Sequence, residues 1–146
     1  MQAVASELEH KVHEARKASR ELARLSSEVK DRALLAVADG LIERRQEILA
    51  ANEKDVQAGR EGGLAEALLG RLSLSADGLA SMADDVRRVA ALADPVGETF
   101  DMRILPSGLT VGKRRVPLGV IGVIYESRPN VTIDIASLCL KSGNAV

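Results

Sequence analysis

Apolar residues recur along the first two thirds of this chain with a helical period, and the texture then changes abruptly. Val4, Leu8, Val12, Ala15, Leu22 and Leu25 return at spacings of three, four and seven while Glu, Lys and Arg fill the other face, which predicts a helix over residues 3–25. Ser26 and Ser27 are candidate N-caps for a second helix running to about Ala58, with Leu34, Val37, Leu41, Ile48 and Leu49 as its stripe. Residues 59–63 read as a break and 64–69 as a short helical turn. Ser75 then caps a helix whose Leu79, Met82, Ala83, Val86, Val89, Ala90 and Ala93 hold the period closely, and Asp94-Pro95 ends it. At Gly97 the helical period disappears. Residues 99–105 and 109–116 are short strand-like runs around Pro106-Ser107-Gly108, a turn sequence, and together they predict a β-hairpin.

The last thirty residues, PLGVIGVIYESRPNVTIDIASLCLKSGNAV, are where the rest leads. Residues 116–125 form an apolar, β-branched run, the composition of a strand buried on both faces of a parallel sheet. A polar break, Glu126-Ser127-Arg128-Pro129-Asn130, follows. Val131, Ile135, Leu138 and Ser142 then fall on one side of a helix, beside Ile133, Ala136 and Leu140. Asn130 is the expected N-cap of that helix, and Lys141 with Gly143 gives a cation in the last turn followed by a left-handed stop. Ala145 and Val146 look like a second strand. Strand, polar turn, helix, strand is the opening of a doubly wound nucleotide-binding fold.

Composition narrows the class. A chain of 146 residues that is 46% hydrophobic has enough apolar material for a packed core, but with only Phe100 and Tyr125 as aromatics that core must be aliphatic. Twenty Lys and Arg against 21 Asp and Glu give a net charge of -1, so no global basic field points to nucleic acid or an anionic membrane. The single cysteine, Cys139, forms no internal disulfide and fits a reducing compartment. The charged, periodic N-terminus is no secretory signal, and no run reaches the roughly 18 apolar residues of a membrane span. A cytoplasmic protein is the expectation.

Several residue patterns invite chemistry. Gly119 and Gly122 precede a strand's end instead of opening a helix, so they are not the dinucleotide fingerprint; glycines that permit close packing explain them better. Residues 126–130 lie where open α/β sheets bind ligands, at the carboxyl end of a strand and the start of a helix. Arg128 there could clamp a phosphate or carboxylate. From spacing alone, a capping Asn130 and an exposed Glu126–Arg128 pair account for the same residues. Cys139 sits mid-helix between leucines with no His nearby, which marks a structural thiol. His10 and His13 have a metal-compatible spacing but no third ligand, so they read as a solvated face. Lys113-Arg114-Arg115 could touch a phosphate or serve equally well as a charged strand edge.

VPLGVIGVIYESRPNVT together with LCLKSGNAV resembles gamma-glutamyl phosphate reductase, also called glutamate-5-semialdehyde dehydrogenase, a branch of the aldehyde dehydrogenase superfamily. The likeness extends upstream through residues 49–54 and 63–75, and it corresponds only to the N-terminal portion of that enzyme. The resemblance implies an α/β fold: an incomplete nicotinamide-cofactor-binding domain over 1–146, divided into a helical lead-in (1–96), a β-hairpin arm (97–116) and the first strand-helix-strand (117–146) of a Rossmann-like parallel sheet. It also implies NADPH as cofactor and L-glutamate 5-phosphate as the small-molecule substrate. The product is glutamate 5-semialdehyde, in proline biosynthesis. In the chemistry so implied, a thiolate displaces phosphate to form a thioester, which hydride reduces, and the thiohemiacetal collapses to aldehyde.

The family's nucleophilic cysteine matches no position here, so no catalytic residue is expected in this chain, and the resemblance assigns no cofactor contact or metal ligand to it. Glu126, Ser127, Arg128, Pro129 and Asn130 become the expected substrate cleft wall. General aldehyde dehydrogenases carry a proline-tryptophan-asparagine turn at this place. Here Arg128 precedes the proline and Asn130 follows it directly, so the oxyanion donor could equally be Ser127 or a backbone N–H. The hairpin at 97–116 is expected to join a homo-oligomer, and the polypeptide by itself is expected to be inactive. Two rivals remain: a non-catalytic helical and hairpin interaction module, and a general aldehyde dehydrogenase fragment. The arginine suits an anionic substrate and argues against the latter.

Overall fold

A computed structural model describes the backbone of residues 2–146 and the side chains of residues 7–146. Five helices come first: α1 (Gln2–Leu22), α2 (Ser27–Glu43), α3 (Arg45–Glu61), α4 (Glu66–Leu72) and α5 (Ala76–Ala91). An antiparallel hairpin follows, β1 (Thr99–Ile104) with β2 (Thr110–Arg114), and then α6 (Pro129–Lys141). The core lies between α2 and α5, with α6 packed against both. Leu34, Ala38 and Leu41 of α2 meet Leu79, Met82, Ala83, Val86 and Ala90 of α5, and Ile133 and Leu140 of α6 close the third side.

The local signals place most boundaries. Ser26 Oγ accepts from the Val29 N–H, and Ser75 Oγ accepts from the Gly78 N–H at 3.0 Å, so both expected caps are used. The stripe of α5 is buried as its period predicts. The expected helix 27–58 is instead two helices, because Arg44 leaves helical geometry at φ -96°, ψ 15°. Hydrogen bonds nearly span the break, from Arg44 N–H to Gly40 O and from Ile48 N–H to Arg44 O, so the apolar period passes through it undisturbed. In α1, Val4 lies outside the described side chains, and Leu8 and Val12 are exposed. In α2, Val37 faces solvent, while Lys30 joins Leu34, Ala38 and Leu41 on the buried stripe.

The hairpin forms around Pro106-Ser107-Gly108, with the Leu105 N–H bonded to Leu109 O at 2.9 Å. One extra residue bulges β1 between Phe100 and Arg103, where Asp101 takes a left-handed φ of 54°. Opposite the bulge, Met102 lies over Gly112, leaving its sulfur only 2.0 Å from where a Cβ would stand. A side chain at 112 would make the exposed Met102 swing aside.

The segment 116–125 departs furthest from expectation. It forms no strand; its link to the chain's end is one parallel bridge, Val120 to Ala145, with the Ile121 N–H bonded to Ala145 O and the Ala145 N–H to Gly119 O, both at 2.9 Å. Val116, Leu118, Ile124 and Tyr125 are exposed. An apolar run of this kind becomes a central strand only when neighbours pair both its edges and cover both faces. Among the described residues a single bridge stands in for those neighbours. Packing does not explain the two glycines either, since a Cβ on Gly119 or Gly122 would meet open space.

Candidate functional site

The turn 126–130 is built by backbone chemistry. Pro129 has no N–H and its fixed φ suits the first helical position, so α6 starts there and Arg128 occupies the N-cap position at φ -140°, ψ 87°. This corrects the expected cap at Asn130, which lies inside the first turn and donates from Nδ2 to Asp134 Oδ2 at 3.3 Å. No side chain caps α6. Of its first positions, Pro129 has no N–H and the Val131 N–H bonds Arg128 O at 3.1 Å, which leaves the Asn130 N–H without a side-chain acceptor at the positive end of the dipole.

Immediately before it, Ser127 adopts φ 51°, a left-handed conformation costly for a residue with a Cβ. Glu126, Arg128 and Asn130 are exposed, with Ser127 and Pro129 half-buried. Among the described residues Glu126 and Arg128 make no ion pair, contrary to the exposed pair considered above. The hydroxyls of Tyr125 and Thr132, 2.5 Å apart, join the two sides of the turn.

Cys139 lies ten residues further along α6, buried, and burial pushes its thiol above the ordinary range. A thiol so placed ionises less readily than an exposed one. His10 and His13 are exposed, and among the described residues no three His, Cys, Asp or Glu side chains gather. Lys113 and Arg115 are engaged locally. Lys113 pairs with Asp101 at 2.8 Å and Arg115 with Glu98 at 2.6 Å, and both cations stand over the Phe100 ring, 5.7 and 5.1 Å from its centre. No helix among the described residues is long and apolar enough to cross a membrane.

Sequence reasoning missed the polar groups that hold this site's supports. Lys30 is buried, donating to the Asp94 carboxylate and to Lys141 O at 3.1 Å. Lys141 is buried as well, donating to the Asp31 carboxylate and to Ala90 O at 2.7 Å. Asp94 also accepts from Ser27 Oγ at 2.7 Å and from the Val96 N–H at 2.9 Å. Burial pushes the Asp94 carboxyl up, but the Lys30 ammonium, the Val96 N–H and the Ser27 hydroxyl outweigh it and hold it below the usual range. The signal was present: Lys30 stands four residues before Leu34, on the apolar stripe.

The last turn of α6 closes on Gly143 at φ 73°. The Gly143 N–H bonds Leu140 O and the Asn144 N–H bonds Cys139 O, a Schellman pair. Buried Asn144 then accepts the Gly119 N–H on Oδ1 at 2.8 Å.

A helical lead-in, an antiparallel hairpin and one parallel bridge beside a polar turn at a helix start make up a mixed α/β fold. Two solved structures of gamma-glutamyl phosphate reductase share it. The enzyme from Thermotoga maritima matches with a TM-score of 0.89 at 43% identity, covering 94% of this chain and 33% of that one. The Saccharomyces cerevisiae enzyme matches at 0.85 and 40% identity, covering 90% and 33%. The chain corresponds in sequence and fold to the N-terminal portion of gamma-glutamyl phosphate reductase. It is 60% identical over 132 residues to the protein of that name from Chloroflexus aurantiacus, and 60% over 131 residues to that of Aeromonas salmonicida. Each alignment takes in 90% of this chain and 31% of the relative, so the chain spans about a third of the length of the curated relatives it matches. No family model matches.

Proposed function

We infer that this chain is the N-terminal portion of an NADPH-dependent reductase that converts L-glutamate 5-phosphate to glutamate 5-semialdehyde in the cytoplasm, as a step of proline biosynthesis. The observation that carries this reading is 60% identity to gamma-glutamyl phosphate reductases over nine tenths of the chain. In this reading 1–146 is part of the cofactor domain, with a helical lead-in (1–96), a hairpin arm (97–116) and a closing segment (117–146) in which an extended stretch leads into α6. Glu126, Ser127, Arg128, Pro129 and Asn130 line the substrate cleft.

Each residue's part follows from its chemistry. Arg128, exposed and in no ion pair among the described residues, offers a fork of donors matched to a phosphate or carboxylate. The uncapped start of α6 offers the Asn130 N–H and a positive dipole end to the same anion or to a developing oxyanion. Ser127, held at φ 51°, supplies a hydroxyl beside them. The displacing thiolate belongs to a part of the enzyme with no counterpart here, and NADPH would supply the hydride. The glycine segment offers the cofactor no phosphate cradle: the Gly119 N–H already bonds Asn144 Oδ1 and the Ile121 N–H bonds Ala145 O. Cofactor contacts are therefore assigned to none of these residues. The exposed hairpin, with Met102, Ile104 and Leu109 facing solvent, suits pairing in a homo-oligomer.

In a complete reductase containing this chain, Arg128→Ala should raise KM for the acyl phosphate, or for phosphate in the reverse reaction, about tenfold or more, the loss of a charge-assisted contact. Unchanged kcat and KM would remove Arg128 from the site. The 146-residue polypeptide alone should not oxidise NADPH with this substrate, and measurable turnover would overturn the division of labour proposed here.

A further inference from the structure

The turn 126–130 is largely exposed, and among the described residues side chains tie its two flanks together through the Tyr125–Thr132 hydroxyl contact alone. Its place is therefore set by its two limbs, and both are fastened at one point, the far end of α6. On the helical limb, Lys141 is only 4% exposed, and its ammonium reaches Asp31 of α2 and Ala90 O of α5. Lys30 of α2 donates to the Lys141 carbonyl. On the extended limb, the Gly119 N–H is held by Asn144, and residues 119–121 by Ala145. The Gly143 turn joins the two fastenings.

Apolar contacts of α6 with α2 and α5 are non-directional, and they tolerate a small slide or rotation of the helix. Hydrogen bonds from a buried ammonium do not, because a displaced donor is left unpaired away from water. Over 13 residues the helix carries any such shift, as a rod about 18 Å long, to its uncapped end. We propose that Lys141 is a positioning residue for the reduction: it sets the axial placement of α6, and through it where Arg128, Ser127 and the Asn130 N–H meet the substrate. This rests on the reading of 126–130 as the substrate cleft wall.

The test is a double-mutant cycle in a complete reductase containing this chain. It combines Lys141→Met and Arg128→Ala and is assayed well below each variant's melting temperature. The substrates are glutamate 5-semialdehyde, phosphate and NADP, with rates normalised to folded enzyme. Lys141→Met should lower kcat/KM about ten- to a hundredfold, the effect of a small misplacement of a substrate-binding group. In the Arg128→Ala background the same change should cost less than about threefold, because coupled residues are not additive. Should Lys141→Met fail to fold, Asp31→Asn removes the charge at the outer end of the pair, where Asp31 is 36% exposed, and enters the same cycle. An equal loss in both backgrounds, or none per folded enzyme, overturns the proposal. Arg128→Ala alone without effect overturns the cleft reading instead, and this inference with it.

Discussion

Lys30→Met removes a buried charge while keeping nearly the same side-chain length, which isolates the ammonium from its packing. Lys30 is 1% exposed and joins α2 to the end of α5 through Asp94 and to the end of α6 through the Lys141 carbonyl. Removing one partner from a buried ion pair costs about 3–5 kcal/mol. Asp94 keeps two donors, Ser27 Oγ and the Val96 N–H, which moves the expected loss to and below the low end of that range, about 2–4 kcal/mol. Against a total stability of about 5–15 kcal/mol this is a large share. For a chain of this size it lowers the melting temperature by roughly 6–15 °C. Urea and thermal unfolding of the variant measure it directly. The double variant Lys30→Met/Asp94→Asn should be less destabilised than the sum of its singles by about 1 kcal/mol or more, since the second change removes the stranded carboxylate. A loss below about 1 kcal/mol for Lys30→Met, or strict additivity in the double, would refute the view that this pair pins the three helices together.

Further outcomes follow from the same contacts. Because the Asp94 carboxyl is held below its usual range, its contribution is present above the unfolded-state value of about 4 and is lost as pH falls through the lower folded-state value. Acid unfolding should therefore be shallower in Lys30→Met than in the parent. Gly143→Ala should cost about 2–3 kcal/mol, combining the left-handed conformation with crowding, since its Cβ would stand 3.0 Å from Pro117 Cγ; an unchanged melting temperature would discount both. Asn52, buried in α3, donates to Leu72 O and accepts the Leu74 N–H at 2.8 and 2.7 Å. Asn52→Ala should cost about 1–3 kcal/mol by stranding both groups. Limited proteolysis at residues 72–75 should speed up with it; no change in either would make Asn52 incidental.

Wherever a short stretch contains its own physics, the sequence was legible. The period of α5 predicts its buried face, Ser26 and Ser75 cap where hydroxyls can reach an early N–H, and Pro106-Ser107-Gly108 turns the hairpin. Gly143 ends α6 because it takes a left-handed φ freely. The polar break at 126–130 was also visible between an apolar run and a helix, though that helix starts at Pro129 because proline's fixed φ outcompetes asparagine's capping. What the tertiary structure decided lies between elements. One non-helical residue, Arg44, splits a helix without disturbing its apolar period. Lys30 and Lys141 are buried because acceptors from α2, α5 and α6 converge on them, and no residue's own propensity encodes that convergence. Residues 116–125 carry the composition of a central strand, but strand pairing belongs to neighbours, and the described residues supply one bridge, to Ala145.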